Sequence, residues 1–516
     1  MVVLDIYINK VVYTGMFDYD NTFPEYNTSG GVLDLEKAEL RHTSPFMMIE
    51  ALDYAAASLK KAGINCGNIR AVKVDCMQHC SVCTTDAFGS TLAKLDAGST
   101  LHDQLKRIIT RRSSPIWEDR SPVAEALWLT EALGPAGGIE ALTANRAELR
   151  FPASQVLKWA VESPEEYRAT AHIMLLSAFM TSILAGIIAS VDTGDGWGTN
   201  LNSIDIANPS WSSLVLNETD RYLQKNGIND PLTPKIGSII PYDTVIGRIN
   251  PYFVNKYGWN TSAIVLTGTG DNPATLMGCG GQTVVSLGTS FTVNGVMKAV
   301  VPSASGEYNV FGYTPGTAMA LSVFTNGAKL HDHFLRLYLK SSQTVEIGIA
   351  DREKYAILSG DTIIHDNEPL MLPYLFDESV PLRKKGIVRD GFDESNAAVN
   401  IRALHIAQAL SLKLHSEHLQ NVRSLCIVGG GANNWLLKQL VADCFDASIY
   451  TINNAAFAAP LGCAISGARH LLGVTYDEAT GLFVDRDESS LLRPIDKNRH
   501  AISLLLKRYA ELEKNM

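Results

Sequence analysis

Thr267-Gly268-Thr269-Gly270-Asp271-Asn272 follows an apolar run, Ala263 to Leu266, and precedes a small-residue stretch, Pro273 to Gly278. A β-rich run that gives way to helix-opening residues across two glycines predicts a strand-to-helix turn. That turn places one carboxylate, Asp271, where a base faces a ligand. Downstream, Ser286-Leu287-Gly288-Thr289-Ser290 sits inside Thr283 to Asn294, a β-rich segment that reads as a hairpin closed by a tight glycine turn. Backbone N–H groups and hydroxyls at such a turn suit phosphate oxygens. A base beside a phosphate cradle is what phosphoryl transfer to an alcohol requires.

The flanking sequence repeats the strand-then-helix pattern. Val2 to Ile8 and Lys10 to Phe17 read as strands, Ser44 to Lys61 as a helix, and Ile69 to Asp75 as a strand. A mostly helical region runs from Leu101 to about Ser190, and Gly194 to Asn202 reads as a glycine-rich loop. Asn217 to Asn226 is a further helix. The proline-bearing Gly227 to Pro241 is the expected boundary, giving domains 1–238 and 239–516. Beyond it, helices are expected at Pro251 to Tyr257, Pro273 to Cys279, Ala397 to Leu419, Asn434 to Phe445 and Phe457 to Leu472, and a hairpin at Gln282 to Met297. Strands are expected at Ser424 to Val428 and Ser448 to Ile452. The pattern is α/β in two domains with a cleft between them, a usual place for a small-molecule site.

Bulk properties narrow the choice. With 516 residues the chain is too long for one core, and 46% hydrophobic with 19% charged residues is ordinary globular composition. A net charge of −10 excludes nucleic acid and anionic membrane as expected partners. Any phosphate must then be held by local amides, a metal or a few cationic side chains. The eight cysteines are scattered, several in apolar segments, as in a protein of the reducing cytosol. Ile173 to Ala189 carries no charge but is shorter than the ~20 residues needed to span a bilayer and contains Ser177, Thr181 and Ser182. It reads as a buried helix.

Three further motifs bear on chemistry. Val428-Gly429-Gly430-Gly431-Ala432-Asn433-Asn434 follows a strand and opens a helix, which suits either a nucleotide or a ligand-free turn. Asp75 to Cys83 holds three thiols and His79, yet no second Cys/His pair follows at finger spacing, and alternate strand side chains diverge. The preferred reading there is a strand end presenting Gln78 and His79 to a ligand. Trp117 to Arg120 and Arg146 to Phe151 are charged clusters beside an aromatic, and most such clusters are solvated ion pairs.

Together these segments resemble the FGGY carbohydrate kinases, most closely the eukaryotic-type xylulokinases. The resemblance rests on Phe23-Pro24-Glu25-Tyr26, Gln78-His79, Ile116 to Asp119, Arg146 with Arg150-Phe151, Asp195-Gly196 with Asn200-Leu201, and Gly270-Asp271-Asn272. It continues through Ser286 to Ser290, Asn326-Gly327, and Gly429-Gly430 with Asn434. It implies two ribonuclease H-like domains of the actin/hexokinase ATPase type, closing over sugar and ATP with Mg²⁺. By resemblance Asp271 is the base that takes the proton from the terminal hydroxyl of a ketose, D-xylulose. Gln78, His79 and Arg150 hold the sugar, supported by Asn272. Gly288 and Thr289 lie along the phosphates, and Gly327, Gly430, Gly431 and Asn434 border the nucleotide. Oligomeric state, monomer or homodimer, is left open.

Some positions depart from the family pattern. The family opens with a strand ending in Asp and a hydroxyl-rich phosphate turn, and Met1 aligns just after it. The expectation is that this strand and first phosphate loop are missing and that turnover suffers, with a catalytically impaired or dead sugar- or nucleotide-binding protein, or a kinase for another pentulose or polyol, as the alternatives. Gln155 and Lys158 replace a Lys and a Trp of one bacterial signature, and Ile406-Ala407 stands for an acid-glycine pair. No tryptophan lies between Lys340 and Tyr355, where some relatives stack adenine.

Overall fold

Two sets of strands, each alternating with helices, divide the chain, which this computed structural model describes over residues 1–134, 138–303, 305–340, 347–420 and 422–515. The first set opens with β1 (Val2–Asp5) and β2 (Lys10–Thr14), an antiparallel pair. α1 (Pro45–Lys61) starts at a side-chain cap: Ser44 Oγ accepts the Met47 N–H and Pro45 fills the first turn. Its last turn carries Lys60 and Lys61, which complement the helix dipole. β3 (Ala71–Val72) and β4 (Asp75–Cys76) follow, then α2 (Leu176–Ala185), β5 (Ile264–Leu266), β6 (Thr269–Gly270) and α3 (Asp271–Gly278).

β3 pairs in parallel with β5, and β4 with β6. The first lobe therefore draws strands from both sides of position 238, and the next sheet begins only at Thr283. The division expected after residue 238 coincides with no break in the sheets. Gly227 to Pro241 is local turn punctuation, and composition does not register a parallel pairing that needs a long crossover.

The apolar run near 173–189 is split. His172–Leu175 is a strand paired antiparallel with Ser81–Thr84, and only then does α2 begin, with Leu176 through Leu184 buried. Gly186, at φ 73°, ends it. Among the described residues no helix is long and apolar enough to cross a membrane. The expected loop at Gly194 to Asn202 is instead helical, Thr193–Gly196 followed by a 3₁₀ turn at Trp197–Thr199. Asp192 caps it through the Asp195 N–H at 2.9 Å, and fully buried Trp197 anchors it despite its glycines.

The second lobe is built on one sheet: β7 (Thr283–Leu287), β8 (Phe291–Val296), β9 (Asn309–Gly312), β10 (Ala318–Phe324), β11 (Ser424–Val428), β12 (Ser448–Ile452) and β13 (Arg486–Leu492). Its order is β9-β10-β8-β7-β11-β12-β13, with β7, β11 and β12 parallel. Parallel strands are covered on both faces, so Leu425, Cys426, Ile427 and Ile449 are all buried. α4 (Ala397–Leu414), α5 (Trp435–Phe445) and α6 (Ala458–Leu472) supply part of that cover, and α6 also packs along α3. All eight cysteines are unpaired, seven of them buried.

One gap interrupts the first lobe. A cavity of about 1240 Å³ is lined by β1 on one side and β3 and β4 on another, with residues of α1 and α6 and with Asp271. Among the described residues, β1 is paired only with β2, β3 only with β5, and β4 only with β6.

Candidate active site

The register of β4 and β6, Thr269 opposite Asp75 and Gly270 opposite Cys76, brings the residues beyond both strand ends side by side. Ligands of α/β folds collect at such carboxyl ends. A Cβ at position 270 would stand 2.3 Å from Gln78 Cγ, so glycine there admits the Gln78 side chain. Gln78 donates to the Gly194 carbonyl at 3.1 Å and accepts from Asn272 Nδ2 at 2.6 Å. Asn272 Nδ2 also reaches Asp271 Oδ1 at 3.0 Å. Asp271 thus stands at the end of a hydrogen-bonded row, on the first residue of α3, where the dipole favours a carboxylate. Burial and the nearby Asp75 carboxyl nevertheless push it up to about 7. A proton acceptor titrating near neutrality suits general-base work.

Further acids surround it. Asp195 is fully buried; its Oδ2 accepts the Ser177 hydroxyl at 2.5 Å and its Oδ1 has no partner. Burial raises the Asp195 carboxyl well above the ordinary range, with Asp192 and Asp271 adding to it against the Ser177 bond. Asp192 is raised to about 6, again by burial first. Asp195 has no role in the sequence reading beyond its place in a family motif. The Asp192-Thr193-Gly194-Asp195 cap spacing is the signal that points to it.

His79 lies in the turn between β4 and the strand Ser81–Thr84, at φ 70°. Its ring stacks on Phe151 at 4.4 Å, and Nδ1–H donates to the Gly198 carbonyl at 2.7 Å. Burial, with Arg150 adding, lowers it to about 3, so the ring is neutral and Nε2 is left as an acceptor. Arg150 gives one guanidinium N–H to Asn309 Oδ1 at 2.5 Å. Gln78, His79, Asp271 and Asn272 are thus contiguous in space, with Arg150 beside His79.

The glycine residues assemble in the second lobe. β7 and β11 run parallel with Ser286 opposite Val428, so the turns at Gly288 and Gly429 emerge together. A Cβ at Gly327 would stand 2.6 Å from the Thr289 carbonyl oxygen, and the Ala328 N–H donates to the Gly288 carbonyl at 3.0 Å. Gly431 packs equally closely on Leu287. Thr289 and Gly430 are exposed on this cradle. Asn434 is engaged at both ends of its amide: Oδ1 accepts the Leu437 N–H at 3.1 Å and Nδ2 donates to His405 Nε2 at 2.9 Å. α3 and β7 are consecutive in the chain, joined by residues 279–282, so the Asp271 helix leads directly into the strand that ends at the Gly288 turn.

Among the described residues no group of three or more His, Cys, Asp or Glu gathers to hold a metal. The donor set fits Mg²⁺ in its other common mode, one or two carboxylates plus substrate phosphates. Asp271 and Asp75 line the cavity and supply carboxylates of that kind.

This architecture is shared with solved structures. The ligand-bound xylulose kinase from Lactobacillus acidophilus aligns with a TM-score of 0.74 at 16% identity, over 100% of this chain and 95% of that one. Plasmodium falciparum glycerol kinase with ADP gives 0.70 at 14%, over 93% and 91%. The fold is therefore the two-domain actin/hexokinase-like fold of the sugar kinases. Residues 283–471 match the C-terminal domain of the FGGY family of carbohydrate kinases. Xylulose kinase of Mus musculus is 29% identical, covering 100% of this chain and 92% of the relative, and xylulose kinase 2 of Arabidopsis thaliana is 28% identical over 90% and 84%. Residues 283–471 thus carry an FGGY carbohydrate-kinase C-terminal domain, and over its whole length the chain is similar to curated sugar kinases.

Proposed function

We propose that this chain transfers the γ-phosphoryl group of ATP to the terminal hydroxyl of D-xylulose. Asp271 orients that hydroxyl and accepts its proton late, while Gln78, His79, Arg150 and Asn272 bind the sugar oxygens. The backbone groups at Gly288, Thr289, Gly327, Gly430 and Gly431 line the nucleotide, with Asn434 holding the helix start behind them. Mg²⁺, when bound with ATP, neutralises developing charge on the phosphates. The observation that carries this reading is the row Gly194–Gln78–Asn272–Asp271, which ends in a carboxyl raised to about 7. The names of the full-length relatives support the sugar.

A second reading, a sugar- and nucleotide-binding protein with little turnover, draws on the cavity between β1 and the β3–β4 edge, which reaches Asp271. Where such a space offers no backbone donors to a transition-state oxyanion, the rate falls ~10²–10³-fold per donor. ADP release driven by D-xylulose and ATP, measured beside calorimetric binding of each, separates the two. Turnover lost in Asp271→Asn supports the kinase. Binding of both ligands with no turnover above Asp271→Asn supports the second reading, and no ketose binding overturns both.

A further inference from the structure

The first-lobe residues proposed to bind sugar are held from the second lobe. β9 is the outer strand of its sheet, and Val310 lies opposite Ala320 of β10. An outer strand presents N–H and C=O groups with no strand to receive them. Here a side chain from the other lobe receives both: Asn145 Oδ1 accepts the Val310 N–H at 2.8 Å, and Asn145 Nδ2 donates to the Val310 carbonyl at 2.8 Å. The amide thus pairs with β9 as a peptide unit of a neighbouring strand does. Asn145 is 2% exposed, and Ala144 before it adopts φ 67°, a conformation that a residue with a Cβ rarely takes. The loop is pinned there, because Asn200 donates to the Arg146 carbonyl at 2.9 Å and accepts the Glu148 N–H at 3.1 Å.

The residues flanking Val310 point the same connection into the site. Asn309, also buried, accepts from Arg150 at 2.5 Å and donates to Glu148 Oε1 at 3.2 Å. Phe311 lies 5.9 Å from the His79 ring, on which Phe151 also stacks. Apart from that one bond to Asn309, the Arg150 guanidinium makes no hydrogen bond within the described residues; it also lies near the Glu148 carboxylate and 5.9 Å over the Phe151 ring, which leaves N–H donors unused by the protein.

We infer that the ketose subsite is shared between the lobes: β9 positions Arg150 through Asn309 and His79 through Phe311, and Asn145 locks β9 in that place. These are positioning residues, and the inference rests on the sugar-binding reading above. It makes ketose affinity, and not nucleotide affinity, depend on a strand outside the first lobe.

The test is calorimetric titration of the full chain with D-xylulose and, separately, with ADP. Asn309→Ala is expected to weaken D-xylulose binding about tenfold, as for a lost hydrogen bond to a charged group, with ADP binding unchanged. In an Arg150→Ala background the same substitution is expected to cause no further loss, because its effect passes through Arg150. Phe311→Leu, which keeps an apolar wall, is the second probe and is expected to weaken D-xylulose binding alone. Equal loss for both ligands, an additive loss in the double variant, or unchanged D-xylulose binding in both single variants overturns the inference. A wild-type chain that binds ADP but no D-xylulose overturns the sugar reading instead.

Discussion

On the proposed sugar side of the cleft the contacts are buried side chains already bonded to the protein, whereas on the proposed nucleotide side they are backbone groups on exposed turns. Gln78 and His79 are 2% and 4% exposed, and each is tied to a backbone carbonyl. Thr289 and Gly430 are open to solvent, and their turns are shaped by close backbone contacts at Gly327 and Gly431. The first wall is pre-organised by hydrogen bonds and desolvation, which suits discrimination among hydroxyl patterns: a buried donor left unpaired by the wrong sugar costs ~1–3 kcal/mol. The second wall is pre-organised by packing alone, and it suits a ligand whose phosphates bring their own charge and metal.

The comparison breaks most severely at Asp271, which serves both walls. Asp271→Asn is expected to lower kcat by ~10²–10⁴-fold while leaving both ligands bound, read by coupled ADP release beside calorimetry. The wild-type rate should carry a rising limb centred near pH 7, since the raised carboxyl must lose its proton to act. A limb that persists in Asp271→Asn assigns it to another group.

The walls separate with one substitution in each. Gly327→Ala drives a Cβ against the Thr289 carbonyl oxygen, an overpacking of ~1–3 kcal/mol that should raise KM for ATP and spare KM for the ketose. Gln78→Ala should do the opposite, because it removes the partner of Asn272. Steady-state kinetics with each substrate varied checks both, and parallel shifts in the two KM values would sink the distinction.

The smallest effect lies away from both walls and keeps the pH argument clean. Burial opposes charge on His415, but Glu307 at 3.0 Å and Glu513 at 3.2 Å outweigh it and raise the imidazole from 6.5 to about 9. Because the folded value is the higher one, this stabilisation is complete below pH 6.5 and is lost as pH rises through 9. On the order of 2–3 kcal/mol is at stake. Thermal melts should therefore fall between pH 7 and 9.5 in the wild type and flatten in His415→Gln, whereas the rate limb near pH 7 stays.

Much of the fold was legible because it is local. The helix from Pro251 to Tyr257 and the strands Ser424–Val428 and Ser448–Ile452 lie where residue patterning puts them, and Ser44 and Asn434 cap helices as hydroxyl and amide residues do. The strand-to-helix turn at Asp271 and the Gly288 turn were legible for the same reason, since a glycine beside a β-rich run constrains its own backbone. Neighbours in sequence decide such features, and the sequence by itself determined them.

What only the tertiary structure decided comes from residues distant in sequence. The pairing of β5 and β6 with β3 and β4 moved the lobe boundary past residue 238 and set Asp271 beside Gln78. Burial, which no local pattern measures, raised Asp271 to about 7 and left His79 neutral. The hold of Asn145 on Val310 and of Asn309 on Arg150 is invisible along the chain, because each partner has an ordinary local role. The difference is physical: backbone propensity is a property of a few adjacent residues, whereas desolvation and side-chain pairing exist only once distant segments have closed over one another.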